Sequence, residues 1–508
     1  MKINQYKSGV MLSYTTQIIH ILSGIIYTPV MLRLLGQSEY GLYQLVASVV
    51  SYLSLLTLGF GAGYVRFYSQ KKAQGDETGI AMLNGMFFII FSVFAIICLL
   101  CGVIMLINIK TIFGDGLSVG EMNKARLLMA LMVFSMAISF MSVVFTNNIT
   151  VHERFFFQRL IELLRALFNP FLALPLLIMG YGSIGMVLVS TALTVFSFCM
   201  NFWYSKKKLK MKFSFRKFDF GLLKEIWIFT FFIFINIIVD QVNWNVDKFL
   251  LGRMKGTVSV AVYGVAAQLN ALYQTLSTSI SSVFVTRINS IVAEKKGDNA
   301  LTDLFTKVGR IQFILLALVL SGYVLFGHEF IGIWAGEGYD DSYIVGIFLM
   351  VPATIPYIQN LGIEIQRAKN KHKTRSVVYL IIAVLHILLS FPLIRIFGAV
   401  GAAMGTAISL TAGNVIFMNI YYHKKLGLNV IRFWKEICRF LPALIPAVII
   451  GVLVKNILSL NGVVGLSVNI CIYTVTYCLL MWLFGMNKSE KELILSPLRK
   501  IRKKLCKK

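Results

Sequence analysis

Asn236, Asp240, Asn243 and Asp247 follow one another at spacings of four, three and four in an otherwise apolar stretch. On a helix that spacing confines them to one narrow face. Two carboxylates and two carboxamides on one face can hold a proton, or can surround a small cation with oxygen atoms. A charged side chain at the centre of a membrane span costs about 2.5–3.5 kcal/mol. Two aspartates on one such face therefore demand a wet cavity or a cationic partner. For Asp247 the plainer account is a place at the outer interface, paired with Lys248 or Arg253. Asp240 lies two turns deeper and is the stronger candidate for ion coupling, with Asp247 the second.

Other stripes repeat the pattern. Asn270, Gln274, Ser277 and Ser281 recur at four, three and four; Ser13, Gln17, His20, Gly24 and Tyr27 share a face of the first apolar run; Gln44, Ser48 and Ser51 mark the second. Isolated Ser and Asn are explained equally well by helix–helix hydrogen bonding, but four stripes in related positions suggest helices lining an aqueous cavity. Arg33, Arg66, Arg287 and Arg395 each sit near the end of an apolar run. Snorkelling to the interface is the bland account of each; for an anionic cargo, Arg33, Arg66, Arg287 and Lys248 would flank the cavity. His20 and His386 stand alone within apolar runs. Pro29, Pro352 and Pro356 remove backbone donors and invite bends.

These residues need helices to carry them, and the composition supplies membrane helices. Hydrophobic residues make up 57% of 508 positions and charged residues 14%, against about 25% charged in soluble proteins. A span needs roughly 20 apolar residues. Fourteen segments qualify: 8–33, 41–65, 80–108, 125–147, 158–179, 183–204, 222–246, 258–284, 309–331, 343–365, 376–396, 399–421, 440–459 and 463–485. Leu34-Leu35-Gly36, Tyr40-Gly41, Arg66 and Gly75-Asp76 return about 220 residues later as Leu250-Leu251-Gly252, Tyr263-Gly264, Arg287 and Gly297-Asp298. His20 thereby falls on Asn236. A repeat of multi-span halves marks a transporter with its site between two lobes. The expected architecture is an all-α polytopic membrane protein with two repeated six-helix lobes plus two C-terminal helices. It divides into an N-lobe over 1–205, a basic linker over 206–221, a C-lobe over 222–425, two further spans over 426–486 and a basic amphipathic tail over 487–508.

The net charge of +27 raises the question of nucleic acid, which the placement of the charge answers. About 40 of the 49 Lys and Arg residues fall in alternate loops and their flanks, the positive-inside pattern of a polytopic protein. Both termini and the loops near 66–79, 148–157, 205–221, 285–308, 366–375 and 422–439 are then cytoplasmic. No basic stretch is long and polar enough to fold as a nucleic-acid-binding domain. The run after Lys2 and Lys7 exceeds a signal-peptide core, lacks a cleavage site and reads as a retained span. The tail mixes Leu493, Ile494, Leu498 and Ile501 with cations, as a helix lying on a membrane surface would. Cys98 and Cys101 read as small packing residues rather than a metal or redox pair.

Enzyme signatures are missing: there is no Walker A loop, no HExxH and no nucleophile–base set on a sizeable extramembrane domain. Asp340-Asp341 sits in a short outer loop without a sugar-donor domain. The run Leu34-Leu35-Gly36-Gln37-Ser38-Glu39-Tyr40-Gly41-Leu42-Tyr43, with Gly59 after it, resembles the polysaccharide-biosynthesis flippases. So do Asn245-Val246-Asp247-Lys248-Phe249-Leu250-Leu251-Gly252 with Val262-Tyr263-Gly264, Ile333-Trp334-Ala335-Gly336-Glu337-Gly338-Tyr339, and Gly398-Ala399-Val400-Gly401-Ala402-Ala403. These are Wzx-type lipid-linked oligosaccharide translocases of the multidrug/oligosaccharidyl-lipid/polysaccharide exporter superfamily. The resemblance implies transfer of an undecaprenyl-diphosphate-linked glycan across the bacterial cytoplasmic membrane. It also implies alternating access driven by a proton or sodium gradient, no bound cofactor or metal, and polymerase or other glycan-assembly proteins as partners.

Three readings compete. A multidrug antiporter of the same superfamily would want an acidic, aromatic-lined cavity, for which Asp240 and Asp247 speak. A membrane-embedded glycan polymerase or ligase would need a large outer loop with basic catalytic residues, which is not present. An assembly scaffold would leave the polar helix faces unexplained. The charge pattern predicts that a cysteine at Lys208 reacts with an impermeant thiol reagent only from the cytoplasmic side. Labelling of Lys208→Cys from outside intact cells would overturn the topology.

Overall fold

The computed structural model describes residues 5–215, 218–369, 371, 373–457, 462–493 and 495. Helices dominate, because in a bilayer every backbone polar group must be satisfied within its own segment or a closed sheet. The chain's own contacts group it into two compact units, 1–264 with 376–402, and 265–375 with 403–508. The expected amphipathic tail lies, from 496 onward and at Ile494, outside the described residues, as do Lys2, Arg216 and Lys217.

The first unit holds α1 (Gln5–Leu35), α2 (Gln37–Ser51), α3 (Phe60–Ala73), α4 (Glu77–Ile107), the short α5 (Ile109–Phe113), α6 (Val119–Val151), α7 (Phe155–Ile178), α8 (Gly182–Trp203) and α9 (Phe220–Lys255). It also takes the first turns of α10 (Thr257–Ser282) and the segment 376–402. α1 packs along α7, α6 along both α4 and α8, and α2 along α9. The second unit holds the rest of α10, α11 (Val285–Ala293), α12 (Gly297–Trp334), α13 (Asp341–Ile358) and α14 (Leu361–Ala368). Beyond α15 (Lys373–Leu410) it adds α16 (Met418–Lys424), α17 (Val430–Cys438), α18 (Leu441–Ile457) and α19 (Gly462–Leu480). Its core gathers Phe326, Phe440, Ala443, Ala447, Tyr473, Tyr477 and Met481 from α12, α18, α19 and their ends.

Among the described residues ten helices are long and apolar enough to cross a membrane, or up to twelve when each of two bent pairs counts as one span. One bent pair is α9, turned by 45° between Phe220–Phe231 and Ile233–Lys255. The stretch Thr374–Lys424 contains 51 residues, far more than one crossing requires. It breaks at Gly398, whose φ of 57° and ψ of −129° no helix permits and a residue with a Cβ rarely adopts. α10 is missing from the apolar set because Gln268, Asn270, Gln274 and several serines dilute it. Among the described residues each of the fourteen sequence segments lies mainly on helix, the second broken at Leu58-Gly59 and the tenth at Gln359-Asn360, while 458 and 459 of the thirteenth lie outside the described residues. The helices overrun the segments, α12 from 297 rather than 309 and α9 to 255 rather than 246, since a helix continues past the hydrocarbon into the interface.

The repeated motifs have visible local jobs. Asp76 caps α4, accepting the Gly79 N–H at 2.7 Å. That bond first, then Thr78 and Lys71, holds its carboxyl below the usual range. A Cβ on Gly41 would stand 1.9 Å from the Thr257 carbonyl oxygen, so only glycine lets α2 lie against the start of α10. Around that contact, four helix N-termini share two carboxylates. Ser38 and Thr257 donate to Glu121 Oε1 at 2.6 and 2.8 Å, and Glu121 closes a capping box with Ser118. Glu39 accepts from the Ser183 N–H at 2.7 Å and Oγ at 2.8 Å, and from Lys124 Nζ at 2.7 Å. Negative charge at helix N-termini is the favourable placement.

A buried charge fastens the second unit. Arg310 and Glu490 are each 4% exposed. Nε of Arg310 donates to Glu490 Oε1 at 2.6 Å and Nη2 to Oε2 at 3.0 Å. Nη1 reaches the Glu436 carbonyl at 2.7 Å, and the guanidinium lies 4.3 Å from the Phe440 ring centroid. Bidentate Arg–carboxylate geometry is the strong form of such a pair. Truncating one partner of a buried pair is destabilising by about 3–5 kcal/mol, because the other charge stays buried. Arg310→Ala is accordingly expected to lower the thermal unfolding midpoint of the detergent-solubilised protein by several degrees, about 2–4 °C per kcal/mol on the scale of large domains. A midpoint unchanged from wild type would show that the pair holds nothing together.

Candidate functional site

The polar face of α9 divides into two environments. Asp240 is exposed, and Asn236 and Asn243 are half-buried. Asp247 is 1% exposed. Rather than resting at an interface beside Lys248 or Arg253, its carboxylate is enclosed by three side chains from two other helices. Tyr263 Oη, from the start of α10, donates to Oδ2 at 2.8 Å. Ser390 Oγ, from α15, donates to Oδ1 at 3.1 Å. His386, one turn before Ser390, places Nε2 3.3 Å from the same Oδ1. All of these groups lie in the first unit.

The partnership of α9 with α15 follows from helix register. Asn236 Nδ2 donates to Ser376 Oγ at 3.1 Å, eleven residues before Asp247 and ten before His386. Nearly equal advance along both helices means that they run parallel. His386 and Ser390 are four apart and so share a face, which is the face turned to Asp247.

A carboxylate and an imidazole at 3.3 Å, sealed from solvent, can pass one proton between them or stand as an ion pair. Two hydroxyl donors steady the carboxylate in either state. Beside them Lys248 Nζ donates to Gln44 Oε1 at 3.0 Å, and Gln44 Nε2 donates to Tyr40 Oη at 2.8 Å. The chain of polar side chains therefore continues from α9 into α2. Among the described residues no group of three His, Cys, Asp or Glu is placed to hold a metal ion.

The remaining sequence candidates separate into two kinds. His20, Arg33 and Arg66 are exposed, and Gln17 is half-buried on α1. The Arg66 guanidinium lies 4.3 Å from the Phe229 ring centroid, a cation–π contact onto α9. Arg287 is exposed on α11 and Gln274 is half-buried. Ser48, Asn270 and Ser277 instead serve packing. Ser48 Oγ donates to Leu45 O at 2.7 Å within its own helix. Ser277, fully buried, donates to Tyr357 O at 2.6 Å and accepts from Gln312 Nε2 at 3.1 Å. Asn270 Oδ1 accepts from Tyr357 Oη at 3.5 Å. Hydrogen bonding between helices in the second unit accounts for that stripe. His386 and Ser390 were the residues that sequence reasoning did not join to Asp247. The available signal was their i, i+4 spacing inside an apolar run.

Residues 7–292 match the family described as polysaccharide biosynthesis protein. Along 511 aligned residues the chain is 23% identical to the uncharacterized membrane protein EpsK of Bacillus subtilis (strain 168), with 96% of each chain covered. A 176-residue stretch is 26% identical to a protein named probable flippase AglR of Haloferax volcanii, covering 34% of this chain and 37% of that one. Among solved structures, lipid II flippase MurJ in an inward closed conformation superposes with a TM-score of 0.71 at 15% identity, covering 94% of this chain and 98% of that one. That likeness establishes a shared helical membrane fold.

The enclosed carboxylate makes a test of its own. Residues in one hydrogen-bonded network couple by about 0.5–3 kcal/mol in a double-mutant cycle. Asp247→Ala, His386→Ala and the double variant, compared by thermal unfolding in detergent, should show coupling in that range. Strictly additive losses at 247 and 386 would mean that the two side chains do not interact.

Proposed function

The chain belongs to the polysaccharide biosynthesis protein family, and on that premise we propose that it is a flippase for an undecaprenyl-diphosphate-linked oligosaccharide, the repeat unit of a surface polysaccharide. It is a multi-pass membrane transporter, not an enzyme. The observation that carries the reading is a chain-long membrane fold shared with a lipid II flippase, with ionisable side chains built into the spans. Such residues mark substrate and ion pathways by default. The bacterial cytoplasmic membrane, with both termini inside, is the setting that the loop charges support. The exposed Arg33 and Arg66 suit a cargo bearing a diphosphate. They suit an organic cation poorly, which sets the multidrug reading second.

The energy source in this proposal is the proton gradient, and the coupling group is the Asp247–His386 pair rather than Asp240 alone. Sodium favours a shell of oxygen ligands, and an imidazole nitrogen 3.3 Å from Oδ1 occupies part of that shell. Protonation of the pair changes the charge enclosed among α9, α10 and α15. A buried charge carries a solvation cost that differs between an enclosed and a water-filled state, so the proton can bias alternating access. Polymerase and other glycan-assembly proteins remain the partners to seek.

Flipping of a fluorescent undecaprenyl-diphosphate-linked sugar in proteoliposomes tests both levels of the reading. A proton gradient should accelerate wild type, a sodium gradient at constant pH should not, and His386→Gln should lose the proton effect while still flipping downhill. Acceleration by sodium alone would refute proton coupling. No flipping by wild type under any gradient would refute the flippase reading itself.

A further inference from the structure

α7 carries a polar stripe that lies outside the site above: Gln158, Glu162, Arg165 and Asn169, again at spacings of four, three and four. Arg165 stands ten residues from Phe155 and thirteen from Ile178. At 1.5 Å per residue that is about 15 and 20 Å from the two ends of the helix. Neither interface is within reach of a snorkelling side chain. Arg159, a few residues from the helix start, is differently placed and forms an ion pair with Glu162 at 2.5 Å. The Arg165 guanidinium donates from Nη2 to Thr194 Oγ1 of α8 at 3.2 Å, and the Glu162 carboxylate, shared with Arg159, also acts on it electrostatically.

Arg165, itself exposed, lines an open-sided cleft of about 270 Å³ between α6, α7 and α8. Ser142, Thr146 and Asn147 contribute from α6, and Thr194, Ser197 and Asn201 from α8. Asn201 Nδ2 donates to Thr146 Oγ1 at 3.1 Å. Neither α6 nor α8 brings an ionisable group to the wall; the charges present are Arg165 and the paired Glu162. Drug-sized ligands occupy about 300–1,000 Å³, so the space fits a headgroup and not a whole oligosaccharide. Its walls run from a few residues inside the 151, 155 and 203 ends of the three helices to the level of Arg165. Those ends adjoin the loops near 148–157 and 205–221, whose charges make them cytoplasmic. The cavity is therefore a polar passage from the inner interface to the middle of the membrane, with a guanidinium at its deep end.

We infer that this cavity binds a phosphate group carried on a membrane lipid and entering from the inner leaflet. A planar fork of five N–H donors matches phosphate oxygens two at a time, and the surrounding Ser, Thr and Asn side chains supply further donors. Two sources share this chemistry: the diphosphate of a polyprenyl carrier and the headgroup of an anionic phospholipid. Only the first of them rests on the flippase reading.

The test uses full-length protein in phosphatidylcholine nanodiscs, with radiolabelled undecaprenyl diphosphate and phosphatidylglycerol as separate probes. Wild type should retain one of the two, Arg165→Gln should bind it at least tenfold more weakly, and Arg165→Lys should fall between. Preferential retention of undecaprenyl diphosphate assigns the site to the carrier, and preferential retention of phosphatidylglycerol assigns it to bulk lipid; both support the site. Ser142→Phe, which fills the cavity and leaves the guanidinium in place, should weaken binding as well. It decides the matter should Arg165→Gln not fold. Equal binding of both probes by wild type and by the cavity variants overturns the inference. If wild type flips the labelled sugar as before in that case, the proposed function stands without it.

Discussion

A charge carried into a bilayer has to be answered inside the bilayer, and much of this molecule is arranged around that requirement. At bilayer depth an unsatisfied polar or charged group has no water to turn to, at a cost of several kcal/mol. At the edge of its span, on the side that the loop charges make cytoplasmic, Arg310 is answered by two oxygens of Glu490, by Glu436 and by the face of Phe440. Asp247 is answered by Tyr263, Ser390 and His386. Arg66 lies over Phe229, and Lys248 donates to Gln44. Each answer comes from a different helix, so each also fixes how two helices sit against one another.

The two buried clusters differ in a way that separates structure from function. Arg310 is a permanent cation, held by a fork of bonds that fits only the charged state. It can serve as a rivet and not as a switch. In the Asp247 cluster both charged members titrate. An imidazole and a carboxylate in contact admit more than one proton count, with the hydroxyls of Tyr263 and Ser390 able to donate throughout. Burial is similar in the two places; the chemistry of the groups decides that one can respond to a gradient and the other cannot.

The helices were largely legible in the sequence, since apolar length and backbone satisfaction leave a membrane chain few choices. Residues of the repeated motifs have local roles: Gly41 clears the Thr257 carbonyl, and Asp76 caps a helix. The fate of each polar stripe was not legible. Periodicity tells that Asn270 and Ser277 share a face but not that Tyr357 and Gln312 wait opposite. Asp247 looked interfacial by position along its span, and only the contact with α15, some 140 residues away, shows it enclosed. For His386 the i, i+4 spacing to Ser390 shows that the two share a face, but not that Asp247 meets them there. Arg310 was hidden for another reason, at the edge of a segment where a cation reads as an ordinary interface residue.

The parallel course of α9 and α15 connects these points. Asn236 meets Ser376 and, about ten residues on, Asp247 meets His386 and Ser390. Two helices pinned at two levels along the same direction are held in one register at both. Asp240 lies between the two levels and is exposed, on a helix whose position the enclosed pair helps to set. The stripe that first drew notice thus has its anchored members at the two ends and an accessible one between them. On the proposed function, a titratable group enclosed between these parallel helices is the element through which a proton governs access to a polar path.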